Sequence, residues 1–144
     1  MKIEILAVGK LKESYFEAAQ KEYLKRLRPY CQLSIAEKRS GEALEGALPP
    51  RSDGLVIALD ERGAQPSSRE FAARIEDHQQ HGGGKPIVYA IGGADGHGEM
   101  VRHRADHLIA FGRATMAHRL VRLVLLEQIY RAFRIVRGEP YHRD

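Results

Sequence analysis

The chain has 144 residues, enough for one hydrophobic core. A hydrophobic fraction of 43% beside 29% charged residues is ordinary globular composition and excludes a disordered chain. The single cysteine, Cys31, excludes a disulfide framework and a four-cysteine zinc site, and the formal net charge of +4 permits an anionic partner without demanding one.

Lys2 to Val8 reads as a strand: Ile3, Ile5 and Ala7 alternate with Lys2, Glu4 and Leu6, and Gly9 stops the run. This opening lacks a long apolar core followed by a cleavage site, and no later run is apolar enough to span a bilayer. The expectation is a soluble cytoplasmic protein. Ser14 with Glu17 three residues on predicts a capping box. The helix it starts carries Tyr15, Ala18, Ala19, Tyr23 and Leu27 on one side and ends before Pro29. Leu33 to Glu37 is a short second strand. Gly41, Gly46, Pro49 and Pro50 make Lys38 to Asp53 loop-like, with room for one helical turn around Glu42 to Leu48.

Gly54 to Leu59 is a continuous apolar run, the pattern of a buried parallel strand. Ser67 or Ser68 caps a helix through Phe71, Ala72 and Ile75 to about Gln80, ended by Gly82, Gly83 and Gly84. Pro86 to Ile91 is another buried strand, Glu99 to Ala105 is helical, and Leu108 to Phe111 is a last short strand. The longest helix runs from His118 to about Arg137, stopped by Gly138 and Pro140. Strands alternating with helices predict an α/β fold: a mostly parallel sheet with helices on both faces, as one domain over residues 1–144.

Ligands of open α/β sheets bind beyond the carboxyl ends of the strands. Three glycine-containing segments fall there: Leu59 to Gly63, Ile91 to Gly98, and Phe111 to Met116. The middle one fits neither the dinucleotide fingerprint nor a Walker loop. Its glycines either admit a ligand to the backbone or make a tight strand-to-helix turn. His103 and His107 stand four apart without a His-Glu-x-x-His motif or a third ligand, so they read as a pair on a helix surface and no metal site is expected. His78 and His81 read as solvated residues at a helix end, and Cys31 as a packing residue.

On a helical wheel of the last helix, Arg119, Arg122, Arg131, Arg134 and Arg137 share one half with Leu120, Leu123, Tyr130 and Phe133. Val121, Leu125, Ile129, Ala132 and Val136 fill the other half. A helix this apolar is buried on more than one side. Either a homodimer covers the second side, or the helix sinks into its own core with its arginines reaching outward. The tail, Gly138 to Asp144, reads as a frayed end or as a functional element. In the second case Tyr141, His142 and Arg143 can stack on a base, move a proton and hold a phosphate.

Taken together, these segments resemble the small SPOUT-class methyltransferases that methylate N3 of a pseudouridine in large-subunit ribosomal RNA. The resemblance rests on Met1-Lys2-Ile3 through Lys10-Leu11-Lys12-Glu13, on Ile91-Gly92-Gly93 with Gly96, and on Arg122 through Glu127-Gln128-Ile129-Tyr130-Arg131-Ala132 to Pro140-Tyr141-His142-Arg143. It implies a trefoil knot in the C-terminal half, a homodimer, and S-adenosylmethionine as methyl donor. It places that cofactor on Leu59, Gly92 and the run Phe111, Gly112, Arg113, Ala114, Thr115 and Met116. The implied substrate is RNA of the assembled ribosome. The implied catalytic residues are His142 as proton acceptor or orienter, Arg143 for charge or phosphate, and Tyr141 for positioning, with His118 a further candidate. Two departures stand out: the stretch Lys38 to Asp53 is short and lacks a full helix, and Ala117 occupies a place where the family has proline. The alternatives are a SPOUT methyltransferase acting on another RNA, a non-catalytic RNA-binding module, and a nucleotide-binding domain using the Gly92-Gly93 loop.

Overall fold

A computed structural model describes residues 1–144. Ten elements follow one another: β1 (Lys2–Val8), α1 (Ser14–Leu27), β2 (Gln32–Lys38), α2 (Gly41–Ala47), β3 (Leu55–Ala64), α3 (Ser68–His81), β4 (Ile87–Ile91), α4 (Glu99–Arg104), β5 (His107–Ile109) and α5 (His118–Val136). The strands form one sheet in the order β2-β1-β4-β3-β5, and every pairing is parallel. The α/β architecture read from the alternation is therefore present.

Strand periodicity sorts the core into two layers. Ile3, Ile5 and Ala7 of β1, with Ile57 and Leu59 of β3 and Ile87, Tyr89 and Ile91 of β4, pack on one face with α1, α3 and α5. Leu6, Val56, Ala58, Val88 and Ala90 point the other way, onto Leu44 of α2 and Val101 of α4. Burying each of the larger aliphatic side chains contributes about 1.5–3 kcal/mol, so the double-faced sheet carries most of the stability. Tyr89 is covered by the stacked ring of Phe71, 5.9 Å between centroids.

Several local expectations are corrected. Ser14 is not an N-cap: Glu13 occupies that place, no side chain caps the helix, and the Glu13 carboxylate instead accepts a 2.7 Å hydrogen bond from Arg119. The capping box forms at Ser67 and Glu70, at the start of α3. The inward face of α1 includes Phe16, Gln20, Leu24 and Leu27, while Tyr15 is 68% exposed. Gln20 belongs there because it accepts from the buried Arg122, a polar contact that apolar spacing does not reveal. The Lys38 to Asp53 stretch holds the seven-residue helix α2, capped by Ser40, whose Oγ accepts from the Ala43 N–H, and anchored by the fully buried Leu44.

At the other edge, β3 continues past Leu59 to Ala64 through a bulge, and β5 is only three residues long. Gly63 lies where β3 crosses the Ile109 backbone, with no room for a side chain. His103 ends in α4 and His107 begins β5, so the two do not form a helix-surface pair. On α5, Arg122, Leu125, Leu126, Ile129, Ala132 and Phe133 are buried, and Leu120 stays 40% exposed. Its arginines are largely consumed within the chain: Arg119 by Glu13, Arg122 by Glu37, Arg131 by Glu127 and Arg134 by Glu139. No helix is long and apolar enough to cross a membrane.

Candidate functional site

A cavity of about 240 Å³ opens at the carboxyl ends of β3, β4 and β5, closed on one side by the first turn of α5. Leu59, Ile91, Ile109 and Val121 give it apolar walls, and the Gly92 to His97 loop and the Phe111 to Met116 segment form its rim. Because β5 stops at Ile109, Ala110 and Phe111 are free to turn across the strand ends. The glycines have a physical reason to be there. A Cβ on Gly92 would meet the Gly96 backbone carbon at 2.8 Å, since the loop folds back on itself, and Gly112 adopts a φ of +124° that side chains rarely tolerate.

A polar floor holds the loop in place. The Asp60 carboxylate accepts from the Arg62 backbone N–H at 2.9 Å and from Arg102 Nε at 2.8 Å, and Arg102 also donates to Glu99. Burial alone pushes the Asp60 carboxyl up, but the Arg62 N–H and the Arg102 guanidinium outweigh it and hold the group below its usual range. The buried His97 hydrogen-bonds the Ala90 carbonyl through Nε2 at 3.0 Å. Desolvation lowers its pKa against the opposing effects of that carbonyl and of Asp60, which favours the neutral ring.

Of the eight residues expected to bind cofactor, Leu59, Gly92, Phe111, Gly112, Ala114, Thr115 and Met116 line this cavity, whereas Arg113 is exposed and stands outside it. His118 lines the cavity as well. Asp60 and His97 fall inside the strand-end segments read from the sequence without being singled out there, and Arg102 falls outside them. A charged Asp-Glu-Arg run directly after an apolar strand, and a histidine inside a glycine loop, were the available signals.

Tyr141, His142 and Arg143 are not at this cavity; the first two dock on the far part of α5 and Arg143 is exposed. The Tyr141 ring packs edge-on against Tyr130 at 4.9 Å, lies under the Arg131 guanidinium at 4.8 Å, and its hydroxyl donates to Glu127. Burial, followed by the charge of Glu127, raises its pKa. His142 Nδ1 stands 3.1 Å from Arg131 Nη1, and its Nε2 stands 3.0 Å from Asp144. Arginine can only donate, so Nδ1 is the bare nitrogen and Nε2 carries the proton toward Asp144. Asp144 in turn takes a two-pronged ion pair from Arg69 of α3, at 2.7 and 2.8 Å, and its carboxyl is pulled down to about 2 by Arg69 and then by His142.

The sequence model of the family described as predicted SPOUT methyltransferase matches residues 1–142. The chain belongs to that family. It is 44% identical to a protein of Carboxydothermus hydrogenoformans named ribosomal RNA large subunit methyltransferase H, across 99% of this chain and 100% of that protein. Proteins of the same name from Listeria monocytogenes (44% identity, 99% and 100% coverage) and Pelotomaculum thermopropionicum (43%, 97% and 98%) are similar to it. The first two alignments extend over 162 residues, so these SPOUT relatives carry residues that this 144-residue chain lacks. Family membership makes the chain a methyltransferase by descent, and the strand-end cavity is the feature of its fold that can hold a methyl donor.

Proposed function

We propose that this protein, a single SPOUT domain over residues 1–144, transfers a methyl group from S-adenosylmethionine to N3 of a pseudouridine in large-subunit ribosomal RNA, in the cytoplasm and on the assembled ribosome. One observation carries the reading: the three strand-end segments that the family resemblance assigns to the donor converge on a single cavity. The full-length likeness to proteins named for the large ribosomal subunit supports the choice of substrate.

The residues present fit the donor. Leu59, Ile91 and Ile109 offer apolar surface for a flat ring, the Gly92 loop leaves room for close backbone approach, and Glu61 and Asp95 on the lining complement a cationic ligand. When bound there, the donor supplies an electrophilic methyl group on a sulfonium. The protein aligns the nucleobase nitrogen with it and assists loss of the N3 proton.

His142 is assigned to that proton, Arg143 to negative charge on the RNA, and Tyr141 to positioning. Within one chain these residues are held far down α5 from the cavity. We therefore assign the tail to the cavity of a second copy in a homodimer. The incompletely covered stripe of α5 around Leu120 and Val124 supports that interface, as does the apolar character of the helix on more than one side. His142 acts as a base only by releasing one of its two present partners, since both ring nitrogens are engaged. The return of the chain from the edge strand β5 to α5, packed between α1 and α3, supports a C-terminal trefoil knot.

The test is methyl transfer from labelled S-adenosylmethionine to assembled ribosomes lacking this modification, with the labelled nucleoside identified by mass. Label on N3 of one large-subunit pseudouridine is the expected result. Saturable donor binding without that label moves the activity to another RNA, and absence of both overturns the reading.

A further inference from the structure

We propose that the corner formed by the carboxyl ends of β1 and β2, carrying Lys10, Lys12, Lys38 and Arg39, is a phosphate-binding surface that seats the backbone of the RNA substrate beside the cavity. This rests on the function proposed above and names the surface that the RNA engages.

The basic helix α5 looks in the sequence like the anion-binding element, yet Arg119, Arg122, Arg131 and Arg134 are all tied to carboxylates of their own chain. Lys10, Lys12, Lys38 and Arg39 make no ion pair, and Lys10, Lys12 and Arg39 are exposed. The two strands bring them together: Val8 pairs with Lys38, and the Gly9 N–H donates to the Lys38 carbonyl at 2.8 Å.

The charge of the corner is not cancelled locally. Glu13 and Glu37 are each engaged by an arginine of α5. Six cations (the four, with Arg119 and Arg122) stand against Glu13, Glu37 and Glu42 of the first turn of α2, which leaves a net of three at this corner. Such a concentration attracts a polyanion and steers its approach.

Val8 approaches Gly93, and the ring of His118 lies 3.7 Å from where a side chain on Gly9 would begin; Gly93 and His118 both line the cavity. Arg122, 2% exposed, binds the Gly9 carbonyl, Glu37 and Gln20 at once, so the backbone bearing the four cations is fixed before any ligand arrives. Tyr15, 68% exposed in the first turn of α1, offers a ring face for an unstacked base close in sequence to Lys12. That ring favours RNA over other phosphate-bearing surfaces.

The experiment compares the full-length protein with a variant carrying Lys10→Gln, Lys12→Gln, Lys38→Gln and Arg39→Gln. A control variant removes the same charge elsewhere through Lys2→Gln, Lys21→Gln, Lys25→Gln and Lys85→Gln. Binding to ribosomes is measured across a potassium chloride series, and S-adenosylmethionine binding is measured by calorimetry on the same proteins. Each lost phosphate contact lowers the slope of log affinity against log salt by about 0.7–0.9, so the corner variant loses about 3 in slope. It is expected to keep donor binding and kcat while KM for ribosomes rises, and the control is expected to keep the wild-type slope. A corner variant with an unchanged slope overturns the proposal, as does a control that loses as much. Should the fourfold variant not bind the donor, the pairs Lys10→Gln/Lys12→Gln and Lys38→Gln/Arg39→Gln are read separately, each expected to lose about half the slope. If the wild-type protein neither binds ribosomes nor methylates them, the proposed function fails and this surface with it. If it methylates them through an unchanged corner, only the surface fails.

Discussion

His118 and Arg131 lie on the same helix about 20 Å apart along its axis: His118 lines the cavity, and Arg131 holds His142 at 3.1 Å. Under the function proposed above, a tail docked there completes a cavity in a second subunit. Mixing two inactive variants tests this. His142→Ala/Arg143→Ala has an intact cavity, and Gly92→Val has an intact tail. After subunit exchange, each heterodimer of a symmetric pair has one complete site, so the mixture should regain about a quarter of wild-type transfer. No recovery, with exchange shown by mass spectrometry, places the tail in its own subunit's site.

Gly92 has a narrower role. Its missing side chain leaves space that the Gly96 backbone fills at 2.8 Å. Gly92→Ala should weaken S-adenosylmethionine binding by about tenfold or more, because overpacking costs about 1–3 kcal/mol and 1.4 kcal/mol is a factor of ten. The melting temperature should also fall by several degrees, because the overlap with the Gly96 backbone is present in the folded protein before any donor binds. Calorimetric titration beside thermal unfolding separates the two effects.

The sheet was legible because buried parallel strands are written as plain apolar runs such as Val56 to Leu59 and Ile87 to Ile91. The cofactor segments were legible because they sit where an α/β sheet must place them. What stayed hidden was polar and long-range. Glu13 follows a helix-start pattern yet spends its carboxylate on Arg119, across more than a hundred residues. The arginines of α5 look free on a helical wheel, because a wheel says nothing of partners on α1, β2 or the tail. The short helix α2 shows in the sequence only as room for one helical turn around Glu42 to Leu48, because Gly41, Gly46 and two prolines obscure the one buried anchor, Leu44.

Arg122 is the internal partner whose loss should cost most. Arg122→Met keeps the volume, removes the donor to the Gly9 carbonyl, and leaves Glu37 only the Leu11 N–H at 3.3 Å. Removing one member of a fully buried pair costs about 3–5 kcal/mol. Glu37 keeps contact with water (its side chain is 34% exposed), so we expect about 2–3 kcal/mol here. Urea unfolding with an unchanged m-value measures it. A loss below 0.5 kcal/mol, on the order of an ordinary surface substitution, would mean the pair is only decorative.

Three histidines predict the acid side of the stability curve. Desolvation lowers the pKa of His97, His107 and His118, aided at His107 by Arg74 and at His118 by Arg119 and then Arg122. A group whose folded pKa lies below its unfolded value of 6.5 contributes stability above that value and loses it as pH falls through the folded pKa. The urea midpoint should therefore be flat above about pH 7.5 and fall as the pH drops below about 6.5. Asp60 acts in the same direction but only near the carboxylate range, below this window. His97→Gln retains a donor for the Ala90 carbonyl and should flatten part of the fall. An unchanged slope in that variant would assign the effect to His107 and His118.

Ala117 offers a stabilising change. It is the N-cap of α5 with φ −59° and ψ 137°, backbone angles that proline adopts without strain, and its N–H donates to no other backbone group. Proline there restricts the unfolded chain and leaves the folded one alone, so Ala117→Pro should add about 0.4–1 kcal/mol. The same change stiffens the turn between Met116, on the cavity rim, and His118, on its wall. Donor affinity should therefore hold or tighten. A lower melting temperature together with weaker donor binding would show that Met116 cannot take the extended conformation that a following proline imposes, and that this chain's alanine is matched to a differently shaped turn.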